Sequence, residues 1–586
     1  MDNSILLGFL ALIFAYGRPA QAQQKERTGM VPLDTTAYIV QDSVMIRTEY
    51  GGLLSAVVVR NKHISAPQPA ALMFSIYANL SRSLSEAKYA ADHGYVGIVA
   101  DARGKRLSPD QIVPYVDEHR DVNSVIDWIS RQPWSNGKVG MYGGSYAGFA
   151  QWAGAKHLHP ALKTIVPYVA AIPGLGLPME NNIFLNANYQ WAFYVTTNKY
   201  TNESLNNARE RWRTMRNKWF SSGAAYNQID SIDGTPNPWL QKWLRHPDYD
   251  QYWQEMVPYQ QDFAKINIPV LTVTGYYDDG QISALHYLRE HYKYNPTADH
   301  YLIIGPYDHF GAQVGGRSVV NGYRVDSVAL INVREITFGW LDYVLKGGQK
   351  PALLKDKINY EVMGANIWKH APSLDKMSNS VARLYFSSHQ HAGQYKLTTI
   401  RQKVKKLIHQ HVDLADRKVY HNDYYPNPIV RETLDHTNGL FFLSKPFKNR
   451  MSVNGSFSGE LKATINKKDM DVGLILYEVT PDGRFFELSY YIGRASYAAD
   501  MSKRVLLHPG KQETIKFCRS RMVSRQLQKG SRLLVVLNIN KNPFAQVNYG
   551  TGNDVATETL ADAAVPLEID WSTDSFVDIP LSWSGT

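Results

Sequence analysis

From Ala70 to Tyr142 the chain repeats one pattern, in which short apolar strands alternate with amphipathic helices. Ala70 to Ser75 reads as an apolar strand, and Ser83-Leu84-Ser85-Glu86 has the form of a capping box opening a helix that Gly94 closes. Tyr95 to Ala100 is the next buried strand. Asp117 to Gln132 places Val122, Val125, Ile126 and Ile129 at helical spacing, and Val139 to Tyr142 is strand again. Strands joined by crossover helices line up in parallel with helices on both faces, so this stretch commits the chain to an α/β architecture. Two strands around Gly51-Gly52, Ser43 to Tyr50 and Leu53 to Arg60, suit a hairpin ahead of it. The sheet resumes at Ile268 to Thr274 and His300 to Ile304, and a helix from about Val325 to Lys346 ends at Gly347-Gly348.

Two stretches depart from this pattern. Between about 173 and 261 the strand signal fades, and Trp191, Trp212, Trp219, Trp239, Trp243 and Trp253 stand in a polar, helix-like background. That segment reads as an inserted helical cap whose tryptophans fill its core, a few of them lining a pocket below. After about 351 short alternating strands and turns such as Pro481-Asp482-Gly483 predict an all-β sandwich of the jelly-roll type.

The strongest local signal is Met141-Tyr142-Gly143-Gly144-Ser145-Tyr146-Ala147-Gly148-Phe149. A nucleophile elbow holds its serine on a strained strand-to-helix turn, and Gly143 and Ala147 supply the small residues that such a turn needs. A serine hydroxyl becomes a competent nucleophile only beside a base that is itself oriented by a carboxylate. In α/β-hydrolases these follow in the order serine, acid, histidine, each on a loop after a strand. Here Ile268 to Thr274 runs into Gly275-Tyr276-Tyr277-Asp278-Asp279-Gly280, and the next strand runs into Gly305-Pro306-Tyr307-Asp308-His309. Ser145, Asp278 and His309 are therefore the expected triad, with Asp279 and Asp308 read as solvated or hydrogen-bonded loop residues. For the oxyanion, the Tyr146 amide follows the nucleophile, and Tyr77 lies just after the strand that ends at Ser75.

Composition excludes several other chemistries. The single cysteine, Cys518, cannot build an intrachain disulfide, a thiolate zinc site or an iron–sulfur cluster. No His and carboxylate cluster at metal-ligand spacing is evident, so neither a metal nor a cofactor is expected. The formal charge of +10 over 586 residues is no dense basic footprint, and no nucleic-acid partner is expected. Ile5 to Tyr16 is an apolar run of signal-peptide length, followed by Ala20-Gln21-Ala22. Cleavage is expected after Ala22, giving a secreted or periplasmic chain that begins at Gln23 and has no membrane span.

The ordered set of motifs resembles the cocaine esterase, α-amino-acid ester hydrolase and X-Pro dipeptidyl-peptidase family. It includes Asp101-Ala102-Arg103-Gly104, Gln132-Pro133-Trp134-Ser135-Asn136-Gly137, the elbow, His246-Pro247-Asp248-Tyr249, the two loops carrying Asp278 and His309, and Val362-Met363-Gly364-Ala365-Asn366-Ile367-Trp368. The resemblance implies an α/β-hydrolase core (23–172 and 262–350), a helical cap (173–261) and a C-terminal jelly roll (351–586) after a signal peptide (1–22). It also implies Ser145 as nucleophile, Asp278 as orienting acid, His309 as base, and an oxyanion hole made by the Tyr77 hydroxyl and the Tyr146 amide. The expected activity is cleavage of an ester or amide in a small molecule or short peptide through an acyl-enzyme. The alternatives are an X-Pro dipeptidyl-peptidase and, in another class, a ligand- or carbohydrate-binding protein with a vestigial site. Asp279, Gly280 and Gln281 after the acid make an incomplete version of the acidic cluster with which the amino-acid ester hydrolases hold an ammonium, which weakens that specificity. The lactic bacterial X-Pro peptidases carry a large extra N-terminal domain, whereas about 15 to 45 residues precede the core here, so that activity is not the favoured expectation. Lys105 and Arg106 replace the family's small-residue turn.

Overall fold

A computed structural model describes residues 36–435 and 439–583. The N-terminal apolar run and its expected cleavage site lie outside the described residues. The alternating region forms β1 (Tyr38–Arg47), β2 (Leu53–Asn61), β3 (Gln68–Ser75), α1 (Leu80–Asp92), β4 (Val96–Asp101), α2 (Glu118–Ser130), β5 (Ser135–Gly144), α3 (Tyr146–Ala155) and β6 (Leu162–Tyr168). After an intervening segment come β7 (Val270–Tyr277), α6 (Gln281–Tyr294), β8 (His300–Asp308) and α7 (Val333–Lys346), the numbers α4 and α5 belonging to the segment between. Two further strands, β9 (Ile358–Val362) and β10 (Ile367–Ala371), lie past residue 350 and still join this first sheet. The strand order is β1-β2-β4-β3-β5-β6-β7-β8-β9-β10, and β4 through β9 along that path are parallel. Every residue of β4 and β7 is buried, as expected where helices cover both faces. On one face α1 and α7 are bridged by Arg334 and Glu86 at 2.8 Å; on the other, Trp152 of α3 stacks on Tyr287 of α6 at 4.5 Å.

Two helix starts differ from the sequence reading, and both follow from asparagine caps. Helix α1 begins before the Ser83 box, because the Asn79 side chain accepts from the Arg82 amide at 3.0 Å. Helix α7 begins at Val333 and not near Val325, because Asn332 caps the Glu335 amide at 3.2 Å and only a short 3-10 turn precedes it. Its end is as read, at Gly347 with φ +74°.

The segment between β6 and β7 contains a two-residue hairpin, Met179–Glu180 and Ile183–Phe184, which the sequence reading passed over. It continues with α4 (Ala187–Thr196), α5 (Arg209–Ser222) and shorter helices up to Gln254. Trp212, Trp219, Trp243 and Trp253 are buried in its packing, whereas Trp191 and Trp239 are only partly buried. From Ser380 to Trp583 the chain is all-β, a 14-stranded sheet whose pairings are antiparallel apart from that of Gln394–Thr398 with Leu440–Leu443. The two sheets share one apolar core.

Candidate active site

Strand β5 ends at Gly144, and the next residue, Ser145, has φ 60° and ψ −117°. For a residue with a Cβ such a conformation costs about 1–3 kcal/mol, so the neighbours must enforce it. They do so by close approach: a Cβ on Gly143 would lie 2.9 Å from that of Ala147, and one on Gly148 would lie 2.8 Å from the Tyr168 carbonyl. The Ser145 amide itself donates to the Tyr168 carbonyl at 3.0 Å, tying the elbow to β6. Helix α3 follows at once, leaving the Tyr146 amide among the first-turn donors that have no partner within the helix. The Tyr146 side chain turns away into the core, donating to buried Glu118 and accepting from the Tyr115 amide at 3.0 Å. Burial pushes the Glu118 carboxyl up to about 8.

Asp278 and His309 arrive on neighbouring parallel strands. Gly275 of β7 pairs with Gly305 of β8, and a bulge after Gly305 turns the chain toward His309. Asp278 is 1% exposed; its Oδ2 accepts from Thr274 Oγ1 at 2.7 Å and its Oδ1 from the Gly280 amide at 3.0 Å. His309 Nδ1 lies 2.9 Å from that same Oδ1. It also lies 3.0 Å from Asp279 Oδ1, so two carboxylates share one ring nitrogen. Asp279 and Asp308 are both hydrogen-bonded loop residues, accepting from the Gly280 amide at 3.1 Å and from the Gly311 amide at 2.6 Å, and Asp279 in addition faces the His309 ring. Burial opposes charge on His309, but Asp279 and Asp278 together raise its pKa well above the ordinary histidine value. Burial likewise pushes Asp279 up, and the facing imidazole outweighs it and brings the group to about 2. Asp278 is raised, its burial outweighing the help of His309. The same three side chains form the one His and carboxylate group, among the described residues, compact enough to hold a cation. Their hydrogen bonds already account for that closeness.

Tyr77 follows β3, as expected, and its hydroxyl lies 3.3 Å from Ser145 Oγ. The Gln313 side chain, which donates to the His309 carbonyl at 2.8 Å, packs over Gly144 and so brings the histidine loop against the elbow.

Several residues around this centre escape a reading of the sequence. Arg521, from the second sheet, grips Glu180 through two bonds of 2.7 and 3.0 Å and donates to the Asp279 carbonyl at 2.9 Å. Asp279 also lines a cavity, together with Leu177, Trp212, Asp423, Tyr425 and Phe544. Lys105, unusual in its loop, is buried with its Nζ donating to the carbonyls of Val195, Asn198 and Tyr200 at 2.7, 2.8 and 3.3 Å. Burial lowers its pKa to about 8.

Comparison with known proteins bears on this arrangement. The family model for X-Pro dipeptidyl-peptidase (S15 family) matches residues 51–311, and that for the X-Pro dipeptidyl-peptidase C-terminal non-catalytic domain matches residues 343–565. Cocaine esterase of Rhodococcus sp. (strain MB1 Bresler) is 24% identical over 566 residues, covering 91% of this chain and 93% of its own. An α-amino acid ester hydrolase structure superposes with a TM-score of 0.76 at 20% identity, over 94% of this chain and all of that one. An aminopeptidase structure from a Thaumarchaeota archaeon of marine sediment gives 0.77 at 20% identity, over 93% and 96%. Fold and matches together define a serine hydrolase of the α/β-hydrolase fold with a C-terminal all-β part. Within that class, the chain belongs to the family of the cocaine esterases and X-Pro dipeptidyl-peptidases.

Proposed function

We propose that the protein is an exported hydrolase that cleaves an ester or amide through an acyl-enzyme, with Ser145 as nucleophile, His309 as base and Asp278 as orienting acid. The observation that carries this reading is the strained Ser145, set on the elbow with its hydroxyl beside that of Tyr77. Neutral His309 takes the Ser145 proton as Oγ attacks the carbonyl carbon, while the Asp278 carboxylate holds the ring by its Nδ1–H. The negative charge gathering on the carbonyl oxygen is met by the Tyr77 hydroxyl and the Tyr146 amide. Collapse expels the alcohol or amine, which leaves with the proton carried by His309; water then repeats the sequence on the acyl-serine and frees the acid. Nucleophile, base and oxyanion donors all come from the chain, so the reaction requires no cofactor.

Treatment with a fluorophosphonate tests the reading, with covalent capture mapped to Ser145 as the expected result. Persistent failure of the folded protein to react favours the ligand-binding alternative. A panel of acyl esters, amino-acid esters and X-Pro anilides then separates esterase from dipeptidyl-peptidase. Export follows from the apolar run and Ala20-Gln21-Ala22; a mature N-terminus at Gln23 is the expected product. No helix among the described residues is long and apolar enough to cross a membrane.

A further inference from the structure

We infer that Trp191, on α4 of the helical segment, is a positioning residue that aims and polarises the Tyr77 hydroxyl; the inference rests on the oxyanion role proposed above for Tyr77. The indole N–H is a donor only, so the direction of its bond is fixed. Trp191 Nε1 lies 3.1 Å from the Tyr77 oxygen, the same oxygen that lies 3.3 Å from Ser145 Oγ. With one lone pair of the phenol engaged by the indole, the hydroxyl's own proton is left for the Ser145 side, where the oxyanion forms. A hydroxyl that accepts one hydrogen bond also donates the next more strongly, because the two polarise each other.

The surroundings leave the indole little freedom. Its ring stacks on Tyr115 at 5.2 Å and 19° and on Tyr146 at 6.1 Å and 25°. The Tyr77 ring is held in turn by stacking on Tyr194, one helical turn beyond Trp191, at 5.9 Å. The end of α4 and the loop after it are pinned by the three carbonyl bonds of Lys105, by the Arg106 amide to the Lys199 carbonyl at 2.8 Å, and by the Thr201 amide to the Ala78 carbonyl at 3.2 Å. The last of these bonds fastens the helical segment to the loop that carries Tyr77. Lys105 and Arg106 thus acquire a role: they fix the helix from which the indole reaches the hydroxyl.

The test is a double-substitution cycle on the best ester, comparing wild type, Trp191→Phe, Tyr77→Phe and the pair. Trp191→Phe is expected to lower kcat by about 3–10-fold, the range of one modest hydrogen bond, with KM changed by less than about two-fold. In the Tyr77→Phe background the same substitution is expected to cost nothing further. An equal loss in both backgrounds, or a rise in KM at constant kcat, would show that the ring merely lines the site and overturns the inference. A silent Tyr77→Phe overturns the oxyanion reading itself and this inference with it, a pattern distinct from the other two. Replacement of Trp191 by 3-benzothienylalanine, which exchanges only the N–H for sulfur, must reproduce the loss of kcat; full activity overturns the inference.

Discussion

Gly275 faces the Tyr307 carbonyl so closely that a Cβ on the glycine would sit 1.9 Å from that oxygen. This contact lies at the bulge that aims His309 toward Asp278. Gly275→Ala must push β8 away, at an expected cost of about 1–3 kcal/mol of stability with a loss of activity larger than the loss of fold. Thermal unfolding followed beside kcat/KM checks it, and an alanine variant with wild-type kinetics would separate the bulge from catalysis.

Ser145→Ala is expected to abolish turnover while the melting temperature stays level or rises, since the strained position loses only a hydroxyl. Asp278→Asn and His309→Ala should each lose at least about 10³-fold, because a triad acts as a unit. Steady-state rates on the best ester decide this.

Tyr77→Phe keeps the ring and its stacking on Tyr194 but removes the hydroxyl proposed as an oxyanion donor. The expected result is a fall of about 10²–10³-fold in kcat with little change in KM. A tyrosine that served only in packing would tolerate the change.

The two carboxylates on His309 set a sign for the pH profile. Negative charge beside the imidazole favours its protonated, inactive form, so the acidic limb of kcat/KM is expected above the ordinary histidine value of about 6.5. Asp279→Asn removes one of those charges and should move the limb to lower pH, so that activity appears earlier as pH rises. A limb that stays put in this variant would leave Asp279 without influence on the base.

Arg521 and Glu180 are both buried, and removal of either leaves an unpaired charge in the interior. Arg521→Leu is therefore expected to destabilise by about 3–5 kcal/mol. Joining it with Glu180→Leu should restore most of the stability. Arg521→Leu is also expected to lower kcat, and that loss should persist in the pair, because the Asp279 carbonyl still lacks its guanidinium donor.

The elbow and the Asp278–His309 pair were legible because each residue follows a strand in an alternating stretch, and the elbow carries its own small-residue signature. The strand Leu162–Tyr168 was not, since Lys163, Thr164 and Pro167 interrupt its apolar run. The start of α1 slipped because a single asparagine side chain outcompeted a serine-glutamate pattern one turn further on, and that of α7 because Asn332 caps the helix after a separate 3-10 turn. Arg521 and Trp191 carry no local motif: they meet Glu180 and Tyr77 across 341 and 114 residues of chain, and only tertiary folding brings them together. Asp279 stood in plain view beside Asp278, yet its place at His309 depends on the bulge in the neighbouring strand.

The return of β9 and β10 to the first sheet, after the point where the sequence changes texture, bears on how such enzymes can be recombined. A chimera spliced at residue 350 would strip the hydrolase sheet of its last two strands and expose the flank of the strand that leads into His309. Crossovers placed after Ala371 keep that sheet whole, but they still exchange the arginine that steadies the acid loop. Libraries that treat the two parts as interchangeable blocks should lose catalysis at the first kind of junction through misfolding, and at the second only when the donor sequence lacks a matching guanidinium.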